Sequence, residues 1–386
     1  MDRIVEEPVE NKSEARILQL LREQGESSIA ELSRISGLGK ATASRAIQSL
    51  RMRGLVEDTG DEFRRLASGR PGRAVRIRPD VGLYLGISLS AGGVTAVVAD
   101  AAKRVVAWER QQADSLDGTV PRATSLADFA ERMLERAGCD RKRLYGVGVS
   151  VAGPVDPRTG EVGNSVIIPQ WTGSRPHEDL SAHFGKPVLL DNDANCSALA
   201  ELLWGELNCN TTAVFLRLDQ GIGGAIVHNG EVLHGRTGRA GDYGHVTYDP
   251  NGPECRCGGY GCFERYLSIS SVESDLSATL AEIQVRTRSG DAAALEIVRH
   301  KGQILGSLAA VVSRTVDPDR ILIGGGLLAL GPGLLDAANE RLHAINRTAS
   351  KIETASAATV LEDGSLHDEP ALGAIGLLIR QERSIA

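Results

Sequence analysis

Apolar positions near the start of the chain recur at helical intervals in three short bursts. Ala15, Ile17, Leu18, Leu20 and Leu21 predict a helix over 12–25 that stops at Gly25. Ser27 and Ser28 offer caps for a second helix, which carries Ile29, Leu32 and Ile35 as far as Gly37. After the Gly37-Leu38-Gly39 turn, a third helix over 40–53 buries Ala43, Ile47 and Leu50. Gly54-Leu55-Val56-Glu57, a turn at Thr59-Gly60-Asp61 and an alternating basic strand then read as a β-wing. Helix, tight turn and helix form the helix-turn-helix arrangement, whose later helix enters a major groove. The outward face of the third helix shows Lys40, Thr42, Ser44, Arg45 and Gln48, donors and acceptors suited to phosphates and base edges. A three-helix module that docks on another protein would present the same solvated basic face.

Beyond residue 80 the period changes. Two apolar strands flank a glycine turn from Tyr84 onward, a helix covers 126–137, and a buried strand covers 144–151. A second round begins with a strand over 187–191, which delivers Asn192, Asp193 and Asn195 at its carboxyl end. A helix follows through Glu206, then a hairpin pairing 213–218 with 223–227. Strands alternating with helices indicate α/β architecture, with polar residues gathered where strands end. The stretch Arg70-Pro71-Gly72-Arg73, preceded by Arg64, Arg65 and Gly69, reads as an extended linker. The expected division is therefore a winged helix-turn-helix over 1–67, an arginine-rich linker over 68–80 and an α/β region over 81–386. Arg70 and Arg73 either lie in a narrow minor groove or are simply solvated.

Charge sharpens this division. The chain of 386 residues has a net charge of −7, yet residues 40–78 hold ten basic against four acidic side chains. One basic stretch in an acidic protein suggests a local anion-binding module. No apolar run is long enough to span a bilayer, and Glu6, Glu7 and Glu10 do not suit a secretory signal, so no membrane partner is expected.

Of six cysteines, three crowd into one short segment: Cys255, Cys257 and Cys262, ten to seventeen residues after His245. One imidazole and three thiolates make a closed tetrahedral donor set that suits Zn²⁺, and the intervening glycines let the backbone fold around a small ion. Such an ion is structural, with no open coordination position. Cys139, Cys196 and Cys209 are odd in number and scattered, which fits a reducing cytoplasm.

The segments Asp191-Asn192-Asp193-Ala194-Asn195 and Ala240-Gly241-Asp242-Tyr243-Gly244-His245, the cysteine motif ending at Glu264, and Gly324-Gly325-Gly326 after a strand over 320–323 together resemble the ROK family of repressors, open reading frames and sugar kinases. The resemblance extends over roughly residues 80–380, and the winged helix resembles that of the family's repressor branch, which includes xylose and N-acetylglucosamine repressors. It implies a two-lobed actin-like (ribonuclease-H-like) domain with a sugar cleft, a zinc loop over 245–264, and dimers or tetramers. It further implies that Asn192, Asp193, Asp242, His245 and Glu264 meet the sugar, with Asp193 matching the kinases' general base.

Several positions depart from the kinase pattern. Where those kinases carry an aspartate before the paired glycines of the first strand turn, this chain reads Ser88-Leu89-Ser90-Ala91-Gly92-Gly93. Their Gly-Thr-Gly phosphate loop is replaced by Leu218-Asp219-Gln220-Gly221-Ile222-Gly223, which brings negative charge and bulk where backbone amides should approach a polyphosphate. Asp242 replaces a glutamate, and Ile167 stands at a sugar-contacting asparagine. The expectation is thus a sugar-responsive transcriptional regulator of carbohydrate genes, a repressor, with an operator duplex and a sugar or sugar derivative as partners. It has no catalytic residues, Asp193 being a vestigial base. A sugar kinase acting with ATP on a hexose or amino sugar, and a regulator that docks on another protein, are the alternatives.

Overall fold

The computed structural model describes residues 11–63, 72–112, 123–138, 140–156, 158–163, 165, 167–205, 207, 209–349, 361–364, 366 and 369–381. The described residues of 1–150, 175–190 and 374–386 form one compact unit, and those of 151–174 and 191–373 form another.

The first unit begins with α1 (Lys12–Gln24), β1 (Ser27–Ser28), α2 (Ile29–Ser36) and α3 (Lys40–Met52). The Asn11 side chain caps α1 by accepting from the Ser13 amide at 2.9 Å, and the Ser28 hydroxyl caps α2 by accepting from Glu31 at 3.2 Å. Gly25 and Gly37 end the first two helices at φ 82° and 72°, where a side chain would be strained. Ile17, Leu21, Leu32, Ile47 and Leu50 are fully buried and hold the three helices together.

The wing is built differently from the sequence expectation. Strand β2 (Val56–Phe63) runs through Thr59-Gly60-Asp61 without turning, with a register irregularity between Asp58 and Glu62. Its partner β3 (Gly72–Ile77) lies in the stretch read as linker, and it is the middle strand of the order β1-β3-β2. Ser27 pairs with Val75 and Val56 with Ile77. The physical reason is burial: Val75 and Ile77 enter the winged-helix core on either side of the half-exposed Arg76, a pattern that the arginines of the sequence masked. Arg64, Arg65, Gly69, Arg70 and Pro71 lie outside the described residues.

The first unit continues with β4 (Leu83–Ser90), β5 (Gly93–Asp100), β6 (Val105–Gln112), α4 (Ala123–Arg136), β7 (Leu144–Val151), α5 (Pro176–Phe184) and β8 (Val188–Asn192). The sheet order is β6-β5-β4-β7-β8. β4 and β5 are buried almost throughout, which explains their unbroken apolar runs. The turn between β5 and β6 also serves the winged helix. Ala101 is 6% exposed within the winged-helix core, and Lys103 Nζ donates to the Glu23 carbonyl at the end of α1 at 2.6 Å. The Arg22 guanidinium sits 5.4 Å from the centre of the Tyr145 ring.

The second unit holds α6 (Asp193–Leu203), β9 (Thr212–Leu218), β10 (Ile222–His228), β11 (Glu231–Val232), α7 (Glu264–Leu267), α8 (Ile269–Leu276), α9 (Leu280–Arg288), α10 (Ala292–Val316), β12 (Arg320–Gly324), α11 (Gly333–Ala349) and β13 (Leu361–Asp363). The last helix, α12 (Glu369–Gln381), starts in this unit and ends in the first. Its sheet order, β11-β10-β9-β12-β13, repeats the connectivity of the first: a three-strand meander, then two strands added beside its first member. β12 runs parallel to both β9 and β13. This duplication is the actin-like, ribonuclease-H-like architecture expected from the sequence. No helix among the described residues is long and apolar enough to cross a membrane.

Candidate ligand site and metal centre

Three chain segments converge on the turn between β9 and β10, all within the second unit. At the carboxyl end of β8, Asp191 is buried and its carboxylate is fully engaged. Its Oδ1 accepts from the Asn192 amide at 2.7 Å and from Asn195 Nδ2 at 2.8 Å, while Oδ2 lies 2.7 Å from His234 Nε2. Asn192 caps α6 by accepting from the Ala194 amide at 2.9 Å, and its Nδ2 donates to the Gly153 carbonyl at 2.9 Å. One amide proton and one lone pair of Asn192 remain for a ligand.

Asp193 opens α6, and its Oδ1 also accepts from the Ala194 amide, at 3.0 Å. Its side chain is 19% exposed. Burial pushes the carboxyl up to about 6, with the Arg217 guanidinium pulling the other way. Arg217, on β9, was not anticipated from the sequence. It is 12% exposed and faces three carboxylates: Asp193 at 3.5 Å, Asp219 at 2.9 Å, and Glu369. The signal was an arginine inside an otherwise apolar strand, one that only a buried counter-charge can explain.

Three amides in and beside the turn are engaged by its own surroundings. The Asp219 amide donates to the Gly221 carbonyl at 2.9 Å, and the Gln220 amide donates to Asp219 Oδ1 at 2.9 Å. The Ile222 amide donates to Glu264 Oε2 at 3.1 Å. Ile167 closes over the same turn: a Cβ added to Gly221 would lie 2.9 Å from Ile167 Cδ1. Glu264, first residue of α7, is buried, and its Oε1 accepts from Arg256 Nε at 2.7 Å. Asp242 is exposed, and the preceding Gly241 packs so tightly on Gly224 of β10 that an added Cβ would lie 2.3 Å from the Gly224 carbonyl oxygen. Asp193 and Glu264 thus border the turn through Arg217 and the Ile222 amide, and Asp242 lies within electrostatic reach of Glu264.

His245 ends a short 3-10 turn (Tyr243–His245), and its Nδ1 lies 3.6 Å from Cys255 Sγ. Cys257 Sγ and Cys262 Sγ are 3.6 Å apart, and all four candidate ligand atoms fall within 4.8 Å of one another. Ideal Zn–S and Zn–N distances give tetrahedral edges of ~3.8 Å between sulfurs and ~3.6 Å between sulfur and nitrogen. The donor set fits a closed site for a soft divalent ion. Burial, with Cys257 and Cys255 as neighbours, pushes the Cys262 thiol up to about 12. A bound divalent cation inverts that preference, since a coordinating thiol is deprotonated.

In the first unit, the outward face of α3 shows Lys40, Arg45 and Gln48 exposed, with Thr42 and Ser44 half-buried. Nearby basic residues are engaged within the fold: Arg53 with Glu14 at 2.9 Å, Arg76 with Glu57 at 2.8 Å, and Arg51 with Asp58. The backbone of Arg73 pairs with Glu62 in the wing ladder, while Arg70 lies outside the described residues.

Comparison with known proteins places these features in context. The ROK family pattern matches residues 84–381, and that of the IclR helix-turn-helix domain matches residues 15–60. A glucokinase of Halalkalibacterium halodurans is 30% identical over 285 residues, covering 68% of this chain and 85% of its own. A putative xylose repressor of a Caldicellulosiruptor species is also 30% identical, over 269 residues, covering 69% of this chain and 66% of its own. Among solved structures, a ROK family transcriptional regulator described as a homologue of the Escherichia coli MLC protein superposes with a TM-score of 0.74. It is 21% identical and covers 96% of both chains. With that pattern spanning both duplicated sheets and the cysteine loop, the chain belongs to the ROK family.

Proposed function

We propose that this chain is a sugar-responsive DNA-binding regulator, a repressor, whose ROK domain binds its ligand without phosphorylating it. The observation that carries the reading is the turn after β9, where three amides are already engaged within the protein. A phosphate-cradling turn needs free backbone amides and a favourable local charge. Here the Asp219, Gln220 and Ile222 amides all have protein acceptors, and Asp219 adds a carboxylate. The turn after β4, Ser90-Ala91-Gly92-Gly93, carries no carboxylate to hold a nucleotide-bound metal.

In this reading Asn192, Asp193, Asp242, His245 and Glu264 hold sugar hydroxyls. A structural zinc ion, held by His245 Nδ1 and the thiolates of Cys255, Cys257 and Cys262, cross-links the loop. It leaves the other ring nitrogen of His245 for the ligand. Lys40, Thr42, Ser44, Arg45 and Gln48 meet an operator duplex, with Arg70 and Arg73 adding backbone or minor-groove contacts. The regulator works as a homodimer or homotetramer. Ligand binding favours one conformation of the ROK domain through differential affinity, and the spacing of two winged helices decides which state fits the half-sites.

A mobility-shift assay on DNA upstream of its own gene, at fixed moderate salt and with glucose, xylose, N-acetylglucosamine and their 6-phosphates, tests the proposal. The expected result is sequence-specific binding that one sugar alters. No specific binding under any of these conditions overturns it.

Asp193 supports a second reading, a sugar kinase. A carboxyl raised to about 6 is poised to accept a hydroxyl proton near neutral pH. Coupled ADP release with ATP and the same unphosphorylated sugars separates the two. Turnover that Asp193→Asn abolishes would establish the kinase.

A further inference from the structure

Arg256 occupies an unusual place: its backbone is flanked on both sides by candidate metal ligands, Cys255 and Cys257. Its guanidinium reaches out of the loop. Nε donates to Glu264 Oε1 at 2.7 Å, and Nη2 donates to the Gln220 carbonyl at 3.3 Å. Glu264 in turn accepts from the Ile222 amide at 3.1 Å through its other oxygen. One side chain therefore joins the cysteine loop, the buried carboxylate and the turn after β9. The approach is close enough to dictate sequence. A Cβ on Gly221 would lie 2.8 Å from both Arg256 Nη2 and Glu264 Oε2.

We propose that Arg256 is a positioning residue that transmits metal occupancy of the loop to Glu264 and the β9–β10 turn. The argument is geometric. A guanidinium is a planar fork, so holding two acceptors in different segments requires its own backbone to be fixed. Coordination of Cys255 and Cys257 fixes that backbone on both sides. When the loop relaxes, the fork loses register with both acceptors. Glu264, 7% exposed, then keeps a negative charge without its cation and reorients toward water. The Ile222 amide loses its acceptor, and the turn opens. Ordering of the ligand carboxylate is thus a consequence of metal binding made through one arginine.

The inference rests on the zinc reading above, so the test measures metal and turn separately. Hydrogen exchange of the peptide covering residues 219–223 is followed in the full-length wild-type chain, zinc-loaded and chelator-stripped, with zinc content measured on the same samples. Stripping zinc is expected to accelerate exchange of this turn about tenfold. In zinc-loaded Arg256→Gln the turn exchanges at the stripped rate although zinc remains bound. Arg256→Lys, which keeps the charge beside Glu264 but not the second arm, falls between the two. A turn in Arg256→Gln that stays as protected as wild type and still responds to zinc overturns the proposal. So does a zinc-loaded wild type whose turn is indifferent to stripping, an arm that stands even if the variants fold poorly. A wild-type chain that takes up no zinc overturns both readings.

Discussion

Replacing Asp193 by asparagine should stabilise the protein at neutral and alkaline pH and do nothing in acid. The carboxyl is pushed up to about 6 by burial, whereas an unfolded aspartate titrates near ~4. A group whose folded pKa is raised contributes stability that is fully present below the unfolded pKa and is lost as pH rises through the folded one. For Asp193 the window runs from ~4 to about 6. Above it, holding the ionised carboxylate in place costs up to ~3 kcal/mol, and ~2 kcal/mol once partial solvent access is allowed for. Asparagine keeps the shape and cannot ionise. For a unit of about 200 residues this amounts to a melting temperature higher by roughly 5 °C at pH 8, shrinking to nothing at pH 4. Thermal unfolding of wild type and Asp193→Asn across that range is the measurement. A variant less stable than wild type at pH 8 would refute the reasoning, because the Arg217 attraction would then outweigh burial. So would a difference that does not change with pH.

Other perturbations act on different parts of the chain. Cys257→Ser should abolish stoichiometric zinc, lower the melting temperature and remove the sugar effect on operator binding, as metal analysis and mobility shift on one preparation would show. Arg45→Ala should weaken operator binding across sequences and reduce the salt-dependence slope by about 1 if its contact is to phosphate; salt titration of the affinity checks this. His234→Ala removes a side chain whose imidazole is held above its ordinary range chiefly by the hydrogen bond to Asp191. That stabilisation is complete below the ordinary imidazole value of ~6.5 and is lost as pH rises through the raised one. The variant should therefore fall furthest behind wild type below pH ~6.5 and approach it in alkali, as melting curves would reveal.

The sequence revealed elements with strong local signatures. Gly25 and Gly37 marked helix ends, the strand read as buried over 144–151 is β7 to the residue, and the donor set His245, Cys255, Cys257 and Cys262 announced itself by spacing. It concealed whatever depended on distant partners. β3 looked like a linker because Arg70, Arg73, Arg76 and Arg78 dominate the composition of the stretch, and only pairing with β1 and β2 reveals its buried face. Arg217 drew no notice because its reason for being there, three carboxylates from α6, the β9–β10 turn and α12, is scattered over much of the chain. Arg256 lay in plain view between two cysteines, yet nothing in the spacing says that its side chain turns away from them toward Glu264.

The seam between α1 and the β5–β6 turn bears on how such proteins can be recombined. Ala101 completes the winged-helix core, and Lys103 closes the open carbonyl end of α1. A chimera cut at residue 80, to transplant this DNA-reading head onto another ROK domain, would leave behind both residues together with the Tyr145 platform under Arg22. The exchangeable part is therefore not a contiguous stretch of chain. It is the winged helix plus the small surface of the sheet on which it rests, and a working graft must move the two as a pair.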